Sequence, residues 1–246
     1  MNDYLAETDI LNFKHPSIQK LIRERNWEKL DSIEKRKAIY SFVRDEIKFG
    51  YNRKDSIKAS EVLNDGYGQC NTKGTLLMAL FRAVGIPCQF HGFYIDKIMQ
   101  KGAVTGIFYL IAPKKIIHSW VEIIEDGSVI NLEGFILDES YMQSLITTLA
   151  CGKKKFCGFG ASTNDLPGSV KAWDGASDTY IQKESILEDL GVHISPDSFY
   201  SKYGTNLSGI RQVIFEKYVR HIMNKNVDNI RCARNIAGDK LVLNHR

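Results

Sequence analysis

Apolar residues recur at helical spacing through the first third of the chain. Ile18, Leu21 and Ile22 follow Pro16 and predict a short amphipathic helix to about residue 26. Asp31 and Glu34 form a capping box that introduces a helix through about Lys48, with Ile39, Phe42, Val43 and Ile47 on its apolar side. Residues 59–64 read as another helical piece, stopped by Asp65 and Gly66. After the turn Gly66-Tyr67-Gly68-Gln69, an uninterrupted helical run covers residues 70–84. Leu76, Leu77, Leu80, Phe81 and Val84 form its stripe, and Gly85 ends it.

The period then changes. Cys88, Phe90, Gly92 and Tyr94 predict a strand. A Lys-containing loop and an apolar segment at 107–111 follow. Two arms, 116–125 and 128–135, then flank Asp126-Gly127, a strong hairpin signal. Helices followed by consecutive antiparallel strands make an α+β fold. Beyond residue 150 the character changes to a Lys-, Gly- and Cys-rich loop over 151–168, then helices over 181–190, 196–203 and 208–226. In the last of these, Ile210, Val213, Ile214, Tyr218 and Ile222 stand at core-packing spacing, with Arg211, Lys217, Arg220 and Lys225 as the solvated side. The expected organisation is a core over 1–150 and a loop and helical extension over 151–246.

At 246 residues and 43% hydrophobic content, the chain can bury a substantial core. A charged fraction of 25% and a net charge of +4 describe an ordinary soluble surface and point to no particular partner. No apolar run is long enough to span a membrane, and the first twenty residues lack an apolar signal core. No nucleic-acid module or aromatic-basic interleaving is present. Five cysteines, an odd number, point to a reducing, cytoplasmic setting rather than a disulfide framework. Cys88, His91, Cys151 and Cys157 assemble into a zinc site only on paper. Residues 88 and 91 face opposite sides of a strand, so no metal or other cofactor is expected. Gly158-Phe159-Gly160 lacks nucleotide-loop spacing and reads as a mobile loop, with a lid as its functional reading.

The candidate chemistry starts at Cys70, where a glycine-containing turn becomes a helix. The helix dipole and unpaired N–H groups there stabilise a thiolate and can hold an oxyanion. Against this stands the ordinary role of a free cysteine as a small buried apolar residue. His118 shares a strand face with Trp120 and Glu122, where a lone histidine is commonly structural. A two-residue hairpin loop pairs Trp120 with Glu133, making Glu133 the diagonal neighbour of His118 at about 7–8 Å. A three-residue loop would flip that parity. Asp138, just past the strand, is the alternative acid. Trp120 either walls a substrate channel, donates to the oxyanion or simply packs beside His118.

Gly68-Gln69-Cys70 opening a helix, Arg82-Ala83-Val84-Gly85-Ile86-Pro87 closing it, His118-Ser119-Trp120-Val121-Glu122 on a strand and Glu133 fifteen residues after the histidine together resemble the transglutaminase-like superfamily. The resemblance covers roughly residues 35–138. It implies a papain-like core with N-terminal helices packed on an antiparallel sheet. It further implies that Cys70 attacks an amide carbonyl of a protein or peptide, that His118 shuttles the proton, and that amine or water resolves the acyl-enzyme. Gln69 stands where an acidic residue often precedes the cysteine, and Glu133 where aspartate is usual; Gln69 and Trp120 are the substrate or oxyanion candidates. The alternative function is a binding or scaffold protein that has kept this fold without activity.

Overall fold

The structure, a computed structural model, describes residues 3–125, 127–149 and 155–233. Asp126 of the hairpin and Cys151 of the paper zinc site lie outside the described residues. Helix α1 (Pro16–Glu24) carries Pro16 in its first turn and buries Ile18 and Ile22. Helix α2 (Ser32–Ser41) is capped by Asp31, whose Oδ1 accepts from Glu34 N at 2.9 Å. Only that half of the expected capping box forms, because the Glu34 carboxylate is paired with Lys37 at 2.8 Å.

The helix expected through Lys48 stops short. After Ser41 the chain widens into an i→i+5 turn, Phe42–Glu46, closed by Ile47 N donating to Phe42 O at 3.3 Å. Strand β1 (Lys48–Phe49) then pairs in parallel with β2 (Tyr67–Gly68), and α3 (Ala59–Asp65) lies between them in sequence. Gly66 ends α3 at a φ of +70°, a conformation that a side chain at Cβ disfavours.

Helix α4 (Cys70–Ala83) is buried from Cys70 to Arg82, so it is a central helix rather than one with a single apolar stripe. Such a helix is covered on all sides, which is why polar Asn71, Thr72, Lys73 and Thr75 must find partners inside the protein. It packs on β3 (Cys88–Asp96) and, through the face carrying Ser119 and Val121, on β4 (Lys115–Glu125). Between these strands residues 106–111 form a short helix, α5 (Gly106–Ile111). Strand β5 (Ser128–Leu132) returns along β4 with Glu125 opposite Ser128 and Val121 opposite Leu132, the register of a two-residue loop.

Helix α6 (Glu139–Leu149) follows, then a hairpin of β6 (Phe156–Gly158) and β7 (Ala161–Thr163) where a mobile loop was expected. Phe159 at its tip is buried, which explains why the glycines serve a packed turn and not a lid. The helix expected over 181–190 is instead strand β8 (Ile186–His193). It pairs antiparallel with β3 and completes a sheet of order β5-β4-β3-β8. Without it β3 would present an open edge, and that tertiary demand overrides a weak helical pattern.

Helix α7 (Pro196–Tyr203) lays Phe199 against Gly92, where no Cβ has room. Helix α8 (Gly209–Ile214) passes through a second wide turn, Phe215–Val219, into α9 (Arg220–Arg231). Here the expected core stripe is overturned. Ile210, Val213, Ile214, Tyr218 and Ile222 are exposed, while Met223, Val227 and Ile230 are buried and Phe215 and Val219 pack against the core. The wide turn shifts the phase of the helix, and the segment is apolar on two faces. Among the described residues no helix is long and apolar enough to cross a membrane.

Candidate active site

Cys70 is the first residue of α4, 8% exposed, and Gln69 before it is extended. Gly68 is required there because a Cβ would lie 2.7 Å from Thr72 Oγ1 and 2.9 Å from Lys73 Cγ. Thr72 Oγ1 accepts from Gln69 N at 3.1 Å and donates to Asn52 Oδ1 at 2.6 Å, so the turn before the cysteine is fixed by the helix that follows. Gln69 takes the N–H of Thr72 with its side chain and that of Lys73 with its carbonyl, which leaves the N–H groups of Cys70 and Asn71, without an acceptor inside the helix, as the oxyanion donors.

His118 lies on β4 opposite Phe93 of β3 and is fully buried. Its Nε2 meets Glu133 Oε1 at 2.7 Å. The second carboxylate oxygen of Glu133 accepts from Ile181 N at 2.8 Å, Gln182 N at 2.9 Å and Lys183 N at 3.1 Å. Four hydrogen bonds therefore fix a buried carboxylate, as burial demands. Nε2 being taken, Nδ1 is the nitrogen left for Cys70, and no aligned hydrogen bond occupies it. Burial opposes a charged ring, but the neighbouring Cys70 and Glu133 outweigh it and push the imidazole up to about 10. The structure thus brings Cys70, His118 and Glu133 together in that order.

The other sequence candidates take different places. Asp138 caps α6, accepting from Tyr141 N at 3.1 Å and Phe49 N at 2.9 Å, and pairs with Arg231 at 2.9 Å. It is a structural carboxylate held well below its usual range: burial opposes this, and Arg231, Ser140 and the Phe49 N–H outweigh it. Trp120 donates its indole N–H to Glu122 at 3.0 Å and packs on Phe93 at 4.2 Å, so that N–H is already committed. Gln69 donates to Asp55 Oδ1 at 3.2 Å and accepts from Asn52 N at 3.2 Å.

A polar network that the sequence did not reveal ties the two key elements together. Asp55 Oδ1 also accepts from Asn71 Nδ2 at 3.3 Å, and its Oδ2 accepts from Asn206 Nδ2 at 3.0 Å. Asn71 Nδ2 donates to Ile117 O at 3.2 Å, and Ser119 Oγ donates to Asn71 Oδ1 at 2.9 Å. The run Asn71-Thr72-Lys73 at the start of an otherwise apolar helix was the available signal for part of it. Lys73, fully buried, donates to Arg44 O at 3.0 Å and Ile136 O at 2.9 Å; burial lowers its pKa to about 7.

Cys70 opens onto a cavity of about 450 Å³, within the range of small-molecule sites, with Phe49, Tyr51, Met99, Val104, Phe108 and Phe215 in its wall. Among the described residues no group of three or more His, Cys, Asp or Glu side chains is arranged to hold a metal.

Residues 20–131 match the family model of the transglutaminase-like superfamily. Two solved structures are similar in outline. One is a candidate cysteine protease of Cytophaga hutchinsonii, at 14% identity and a TM-score of 0.44, matched over 79% of this chain and 47% of that one. The other is red sea bream transglutaminase, at 12% identity and a TM-score of 0.32, over 95% of this chain and 41% of that one. The chain therefore spans less than half the length of either. No curated protein matches.

Proposed function

We propose that the protein is a cysteine-dependent acyltransferase or amide hydrolase that uses Cys70 as nucleophile, His118 as proton shuttle and Glu133 as the group that orients and charges the imidazole. The observation that carries this is the placement of His118 between the Cys70 thiol and the 2.7 Å contact with Glu133. A thiolate at Cys70 attacks the carbonyl carbon of a protein or peptide amide. The helix N-terminus holds the oxyanion, and the imidazolium gives its proton to the departing amine. An incoming amine or water then loses a proton to His118 and releases the acyl group from sulfur.

In this reading residues 1–150 carry the nucleophile, base and acid, and residues 151–246 complete the setting of the acid through the N–H groups of 181–183. Cys70, Cys88, Cys157 and Cys232 are free thiols, which supports a reducing, cytoplasmic setting.

Labelling with iodoacetamide across pH tests the assignment. Selective modification of Cys70 below pH 8, reduced at least tenfold in folded His118→Ala, is the expected result. Labelling of Cys70 no faster in the native protein than in that variant refutes it. Incubation with a glutamine peptide and a labelled amine separates transfer, which incorporates the amine, from hydrolysis, which yields plain acid.

A further inference from the structure

The wall of the cavity at Cys70 is built by two segments. One runs from Met99 through α5 to Pro113, and the other is the tail helix with Ile214, Phe215, Val219 and Met223. Of the polar side chains in that wall, Asp55 holds Gln69, Asn71 and Asn206; Lys54 and Arg211 also line it, and Gln182 leaves its Oε1 without a partner, while the greater part of the wall is apolar. A peptide backbone lying in such a space would bring N–H and C=O groups, each of which costs stability when left without a partner. A hydrocarbon chain brings none.

The rim has the same character. Ile111 and Ile214 line the cavity yet are 68% and 48% exposed, so the space opens outward between α5 and the tail helix. Ile107, Leu110 and Ile210 extend that apolar surface, at 60%, 72% and 77% exposure. A rim and an interior that are mostly apolar, ending at a thiol, make a route for a chain whose reactive carbonyl comes last.

We infer that this cavity holds a long aliphatic chain belonging to the acyl donor, with the donor's carbonyl at Cys70. The inference rests on Cys70 being the nucleophile and replaces the peptide acyl part of the proposed donor with a hydrocarbon one, carried as an amide or ester. Cys70 Sγ bonds to the acyl carbon, and the bond from that carbon to the leaving nitrogen or oxygen breaks. The leaving group departs with the proton of His118. Water or an amine later gives its proton to His118, takes the acyl group and restores the thiolate. The chain arrives either on a monomeric donor or from a lipid surface.

The experiment uses p-nitrophenyl esters from acetyl to dodecanoyl, with the adduct on Cys70 followed by intact-protein mass spectrometry. Rates rise by about fourfold per methylene over the first several carbons, the factor expected for burying each one. Val104→Trp and Val219→Trp, in different parts of the wall, each lower the dodecanoyl-to-acetyl rate ratio at least tenfold. A ratio near one in the native protein, or one untouched in both folded variants, overturns the inference and leaves the nucleophile assignment standing. Should neither esters nor iodoacetamide modify Cys70, the nucleophile assignment fails and the chain site is read separately by titrating dodecanamide into Cys70→Ala. Saturable binding weakened by Val104→Trp then upholds the chain site, and no binding overturns it. Faster acylation from phosphatidylcholine vesicles carrying the dodecanoyl ester assigns a lipid source; faster acylation from solution assigns a monomeric one.

Discussion

Asn206 clasps the backbone of Ile117 from both sides, accepting its N–H at 2.7 Å and donating to its carbonyl at 3.3 Å. Ile117 precedes His118, so the position of the imidazole is set by a residue 89 positions further along the chain. Asp55 holds Asn206 in turn through its N–H and its side-chain amide, both at 3.0 Å. Asn206→Ala should therefore slow acylation of Cys70 by about 10–100-fold through misplacement of the ring. It should leave the alkaline limit of the reaction where it was, because Asn206 carries no charge. A rate profile across pH in the folded variant checks both parts.

Glu133→Gln should behave differently. The carboxylate helps to raise the His118 pKa, so its loss lowers the pH above which the imidazolium, and with it leaving-group protonation, disappears. The native limit is expected near pH 10, and the variant's below it. Stability carries the same sign. A histidine raised in the folded state contributes stability that is complete below its unfolded value, about 6.5, and is lost as pH rises through about 10. Denaturant titrations at pH 7 and 10.5 should show the gap between native protein and His118→Ala shrinking at the higher pH.

Much of this site was legible in the sequence because its parts are local. A glycine turn before a helix announces Cys70, and an Asp-Gly turn fixes the hairpin register that carries His118 toward Glu133. Strand β8 was not legible, since its reason for being a strand is the open side of β3 and not its own period. The clasp by Asn206 and Asp55 was equally hidden: single polar residues 151 positions apart carry no spacing signal. The outward stripe of α8 and α9 misled for a third reason, a phase shift at a wide turn between two apolar faces.

Asp138→Ala breaks a buried ion pair with Arg231 and removes the cap of α6, so a loss of about 3–5 kcal/mol is expected in chemical denaturation. Its lowered pKa contributes stability that is present above its unfolded value and is lost as pH falls through the folded one. The native protein should therefore lose the Asp138 contribution in acid, and the variant should show a smaller loss. Under conditions where the variant is folded, Cys70 should still label selectively, which separates this carboxylate from Glu133.

Gly92→Ala drives a methyl group into the ring of Phe199 and should cost about 1–3 kcal/mol through overpacking. Phe199→Leu alone is destabilising, yet combined with Gly92→Ala it should recover part of the loss. A double-mutant cycle by thermal unfolding measures that coupling.

The three N–H groups that hold Glu133 lie at residues 181–183, and the clasp on Ile117 comes from residue 206. During synthesis, at roughly 5–20 residues per second, the thiol of residue 70 leaves the ribosome many seconds before these supports exist. The nascent polypeptide therefore carries its nucleophile unarmed through the crowded period of its own folding. Competence arrives late and as a whole.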